Sequence, residues 1–158
     1  MAYLTGTLHG DAANELMGFY NAQVRALESS GHFFMAAVAL GLALETAVLA
    51  YLLVEFAEDN GGELKIPASA SMSELLDAAI EIDVLSAPID IPSHVAQDES
   101  RPKYVAQDVA DKIRRFRNLI HPGRALKESF DPRAFTRDQL QELKEMYESV
   151  IHSLLYNL

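Results

Sequence analysis

An all-α fold, a single-domain antiparallel bundle of about five helices, is what this sequence predicts, and three observations predict it. Apolar residues recur at helical spacing in five separate segments. No run alternates β-branched and polar residues as a half-buried strand would. The 158 residues, 49% of them hydrophobic, suffice for one core without disulfides or structural metals.

The first helix is expected over residues 11–29, where Leu16, Phe19, Tyr20, Val24 and Leu27 form an i, i+3, i+4 stripe and Gly31 closes the last turn. Residues 1–10 precede this periodicity and are expected to be loose. The second helix, over residues 32–56, is apolar nearly all round, and Asn60-Gly61-Gly62 ends it. Its length would cross a bilayer, but Glu45 stands at its midpoint and no Lys or Arg lies between Arg25 and Lys65 to anchor it. The reading taken is a central core helix and no membrane partner. Ala36, Ala37, Ala39, Gly41, Ala43 and Ala47 let neighbouring helices approach it closely.

Ser71-Met72-Ser73-Glu74 has the capping-box pattern and opens a third helix over residues 72–84, with Leu75, Leu76, Ala79 and Ile80 inward. Residues 87–101, holding Pro88 and Pro92, make a connecting loop. The fourth helix is expected over residues 104–121 with Val105, Val109, Ile113, Phe116 and Ile120 in the core. A second capping box, Thr136-Arg137-Asp138-Gln139, opens the last helix, which runs to residue 156 and buries Leu140, Leu143, Tyr147, Val150, Ile151 and Leu154.

The absence of cysteine excludes disulfides, thiolate zinc sites and a cysteine nucleophile. The N-terminus lacks the basic and apolar regions of a secretory signal, so a cytoplasmic location is expected. The net charge of −10 is unevenly spread. Residues 1–100 carry fifteen acids against Arg25 and Lys65, whereas residues 101–158 carry eleven bases against eight acids. Lys112, Arg114, Arg115, Arg117, Arg124 and Lys127 cluster within sixteen residues. They form either a local positive focus suited to phosphate or one side of ion pairs with the acidic first part.

That cluster contains the segment Ile113-Arg114-Arg115-Phe116-Arg117-Asn118-Leu119-Ile120-His121-Pro122-Gly123. On a helix Arg114, Asn118 and His121 stand at i, i+4 and i+7, with Arg117 alongside. Pro122 disfavours a helical His121 and Gly123 permits a left-handed exit, which sets the imidazole beside a loop and near solvent. The remaining histidines, His9, His32, His94 and His152, have no comparable company. No Gly-x-Ser-x-Gly elbow or phosphate-cradling glycine loop is present, and Ser71, Ser73 and Thr136 read as helix caps.

This segment resembles the signature of the HEPN superfamily, an Arg followed four to six residues later by His. Six residues separate Arg114 from His121 and five separate Arg115 from it, while Arg117 is too near. Asn118 fits the polar residue common within the motif. An apolar helix bearing a lone acid, a Ser-x-Ser-Glu-Leu-Leu helix and a closing helix agree in outline over residues 30–158. The resemblance implies a small helical bundle that forms a homodimer, and a metal-independent endoribonuclease or RNA-binding effector of toxin–antitoxin or phage-defence systems, with an antitoxin or other protein as partner. It implies Arg114, Asn118 and His121 as catalytic residues, Arg115, Arg117 and Arg124 as RNA-binding residues, and no cofactor or metal. Imidazole suits transfer of the ribose 2′-OH proton, an arginine suits the charge on phosphorus, and DNA would be spared for want of the 2′-OH.

The alternative is a non-catalytic helical dimerisation and protein-interaction module. In that case the arginines and Asn118 tie the bundle together, and Glu45, the lone acid of the apolar helix, takes one arginine as its partner.

Overall fold

The computed structural model describes residues 2–53, 65–81 and 106–156. Those residues form six helices and one small sheet: β1 (Tyr3–Thr5), α1 (Gly6–Ser29), α2 (Phe33–Tyr51), β2 (Lys65–Pro67), α3 (Met72–Glu81), α4 (Ala106–Asn118), α5 (Pro122–Lys127), a 3-10 turn (Pro132–Ala134) and α6 (Arg137–Tyr156). The all-α expectation holds. The Asn60-Gly61-Gly62 stop, the end of the third helix at residues 82–84, the 87–101 loop with His94, and the Ile80, Val105, Val109 and Phe116 side chains lie outside the described residues.

The N-terminus is not loose. Residues 3–5 pair antiparallel with residues 65–67, Tyr3 opposite Pro67 and Thr5 opposite Lys65. The Ala68 N–H extends the ladder to the Ala2 carbonyl at 3.0 Å. Ile66, 6% exposed, fixes this clasp to the core. α1 begins earlier than residue 11 because Thr5 caps it: the Thr5 Oγ1 accepts from the Leu8 N–H at 3.4 Å, and His9 Nδ1 returns to accept the Thr5 N–H at 3.0 Å. Its end is as expected. Gly31 takes φ +80°, its N–H meets the Glu28 carbonyl and the His32 N–H meets that of Leu27, the paired bonds of a Schellman cap.

The buried edge of α1 is narrower than its apolar stripe. Gly10, Ala13 and Val24 are buried, with Tyr20 and Leu27 half-buried beside them. Leu16 and Phe19 were expected inside and face out, at 43% and 55% exposure. The spacing explains this: positions 10, 13, 17, 20, 24 and 27 form one seam, and its small first residues let α1 lie close to α2.

α2 is the central element and packs against α1, α3, α4 and α6. It is the one described helix long and apolar enough to span a membrane, and 67% of that stretch is buried inside the protein. Leu40, Leu44 and Val48 of α2 meet Ile113 of α4 and Leu140, Leu143 and Val150 of α6 in the core. Each such side chain contributes roughly 1.5–3 kcal/mol by leaving water. Both capping serine and threonine side chains cap their helices, and the second box is reciprocal. The Glu74 N–H meets Ser71 Oγ at 3.2 Å, and Thr136 and Gln139 exchange backbone donors at 2.9 and 3.2 Å. α6 buries the expected Leu140, Leu143, Tyr147, Val150 and Leu154, and Met146 as well, while Ile151 is only half-buried. Lys144 of α6 reaches Glu28 of α1 at 2.8 Å, an ion pair between the basic and acidic parts of the chain.

The fourth helix stops at Asn118 and does not reach His121. His121 is extended (φ −75°, ψ 120°), as the residue before proline prefers, and Pro122 sits at the first turn of a further helix, α5. Gly123 lies inside α5 and makes no left-handed exit. Because the backbone changes direction here, Ile120, expected in the core, is exposed (42%), while Leu119 is buried (8% exposed).

Candidate functional site

The crossing of α2 and α4 is built on Gly41. A Cβ at that position would stand 2.5 Å from Arg117 Cβ and 2.7 Å from its Cγ, so the Arg117 stem lies on bare glycine backbone. One turn along α2, Glu45 then meets the guanidinium: Arg117 Nη2 donates to Glu45 Oε2 at 3.4 Å, with both side chains about a quarter exposed. Arg117 Nη1 donates to Asn118 Oδ1 at 3.4 Å. Burial raises the Glu45 carboxyl above its ordinary value, and the Arg117 charge only partly offsets this. The neighbouring Thr46 is buried and satisfied by donating to the Leu42 carbonyl at 2.7 Å.

Arg114, one turn earlier on α4, goes elsewhere. Its Nη1 donates to Ser73 Oγ on α3 at 3.1 Å, on the exposed side of the α3–α4 contact. Arg115 and Lys112 are exposed. Beyond the end of α4, the His121 N–H bonds the Asn118 carbonyl at 3.2 Å and the His121 carbonyl accepts the Ala125 N–H at 3.0 Å, so the backbone at the elbow is fixed. The His121 side chain makes no capping bond and is exposed. Arg124 on α5 stays near the surface in an i, i+4 pair with Glu128 at 3.8 Å, and Lys127 is exposed.

The structure therefore brings Arg117, Asn118 and Glu45 together and holds Arg114 against Ser73. Among the described residues, no hydrogen bond joins the His121 side chain to either group. The broken helix is the reason: the i+7 relation of Arg114 to His121 required one continuous helix. Glu45 as an arginine's partner was legible from its isolation in an apolar helix. Ser73 as the partner of Arg114 was not, because its place in a capping-box sequence explained it fully. Among the described residues, no group of three or more His, Asp or Glu side chains is placed to hold a metal ion.

At this elbow His121, Arg115, Arg124 and Lys127 are exposed, with Arg124 paired to Glu128, while Arg117 ties α4 to Glu45 of α2 and donates to Asn118. No family model, curated protein or solved structure matches the chain.

Proposed function

We propose that the protein is a HEPN-type RNA-binding effector that cuts RNA without a metal, acting in the cytoplasm as a homodimer, in toxin–antitoxin or phage defence, with an antitoxin as a possible regulator. The observation that carries this reading is an exposed His121 on a fixed backbone, in a chain segment whose cations are exposed with it. His121 takes the ribose 2′-OH proton, the 2′-oxygen attacks the adjacent phosphorus, and the 5′-oxygen leaves with a proton from the second copy's imidazole. The products are a 2′,3′-cyclic phosphate and a 5′-OH end. Arg114, already positioned by Ser73, offsets charge on the phosphorane, and Arg115 and Arg124 hold the strand. Leu8, Leu16 and Phe19, exposed on one face of α1, supply an apolar surface for the homodimer.

Incubation with transfer and ribosomal RNA in EDTA tests the reading. Cleavage to cyclic-phosphate ends by the wild type, lost in folded Arg114→Ala and His121→Ala, is the expected result. Cleavage absent in the wild type, or persisting in both variants, rejects it. A second reading, the non-catalytic interaction module, is favoured by one observation: Arg117 and Asn118, half of the motif's polar stripe, are engaged with Glu45 and each other. That reading expects no RNA cleavage and a protein partner for the acidic surface.

A further inference from the structure

At the N-terminal end of α2 lies a groove of about 730 Å³ that the RNA reading does not use. Its walls are Phe33, Phe34 and Met35 from the start of α2, and Arg133, Phe135 and Arg137 from the 3-10 turn and the start of α6. Phe33 and Glu45 are twelve residues apart on one helix, so the groove is about 18 Å from the Arg117–Glu45 pair at about 1.5 Å per residue. The volume falls within the range of small-molecule sites. Phe34 packs against Phe130 at 5.1 Å and Phe135 at 6.0 Å between ring centroids, which makes one side a preformed aromatic wall.

The charge at the groove is one-sided. Arg133 is held by Asp131 at 3.0 and 3.3 Å, and that pairing keeps the Asp131 carboxyl below its usual range, so the two cancel. Arg137 has no acid partner among the described residues; its guanidinium rests over the Phe33 ring, 5.3 Å from the centroid. The α2 N-terminus adds positive potential, since His32 provides no side-chain cap and the first turn holds no acid. An aromatic wall beside one uncompensated arginine matches a flat ring bearing one negative group.

We propose that this groove binds a small aromatic carboxylate, with its ring on the Phe33–Phe34–Phe135 wall and its carboxylate on Arg137. Titration of the ¹⁵N-labelled chain with 2-naphthoate, followed by amide shifts, tests this. Saturable shifts are expected at residues 33–35 and 135–137. The neutral 2-naphthamide should bind about tenfold more weakly, and Arg137→Gln should weaken 2-naphthoate about tenfold. Arg137 is exposed, so the variant should melt with the wild type. Lys65→Gln, an exposed cation on β2, should leave the affinity unchanged. Absent or non-saturable shifts, equal binding of the amide, or an Arg137→Gln variant that binds as wild type overturns the proposal.

Discussion

Two halves of one sequence motif have opposite surroundings. Arg117 sits at a helix crossing, seated over Gly41 and joined to the half-buried Glu45 with Asn118 accepting its second bond, whereas His121 stands three residues beyond Asn118 on an exposed elbow with no side-chain cap. The first half is held by packing that any substitution disturbs. The second half is fixed by backbone hydrogen bonds at His121, and among the described residues its imidazole makes none. One proline thus gives neighbouring polar residues different surroundings, one set packed at a crossing and the other on the surface.

The sharpest break of this comparison is His121→Ala. On the RNA-cleaving reading it lowers cleavage by about 10²–10⁴-fold, the usual contribution of a general acid–base group. Its melting temperature should match the wild type, because the side chain makes no capping bond. An equal loss of stability and cleavage would place His121 in the framework. Gly41→Ala should do the reverse: the new Cβ meets Arg117 Cβ at 2.5 Å, near the backbone where little can give, so overpacking should cost about 1–3 kcal/mol in urea unfolding. An unchanged midpoint would mean the crossing is looser than its geometry.

Glu45→Gln sharpens the comparison through pH. The folded carboxyl titrates above its ordinary value of 4.5, so between the two values the folded state binds more protons than the unfolded state, and stability falls as pH rises. The glutamine variant lacks this loss. Wild-type stability relative to Glu45→Gln should therefore decline as pH rises past the ordinary carboxyl value and level off above the raised folded one. Denaturation curves that shift in parallel, or in the opposite sense, would show that the Arg117 charge outweighs burial. The smallest effect belongs to Arg124→Ala. Its pair with Glu128 is 3.8 Å long and about half exposed, so stability should change by less than about 0.5 kcal/mol, while on the RNA-cleaving reading RNA affinity falls and becomes less salt-dependent.

The long helices were legible because their periodicity and caps agree. Thr136 with Gln139, Ser71 with Glu74, and Gly31 all act where the sequence places them. The clasp of residues 3–5 with 65–67 was not, since three-residue strands are too short to show alternation and their pairing joins distant parts of the chain. α5 was missed because proline and glycine at 122 and 123 read as a stop, whereas proline at a first helical turn is also a start. Glu45 was recognisable as needing an arginine. Which one it takes depends on how α4 is rotated against α2, and the bare backbone at Gly41 selects Arg117 over Arg114.

The position of α2 also sets a problem in time. α1 can cover it as soon as both are made, but the faces that meet α4 and α6 wait for residues 106–156 to emerge. At about 5–20 residues per second, synthesis from the end of α2 to the end of α6 takes roughly 5–20 s. Throughout that interval the ribosome-bound chain displays the α4- and α6-facing sides of its most apolar described helix still uncovered.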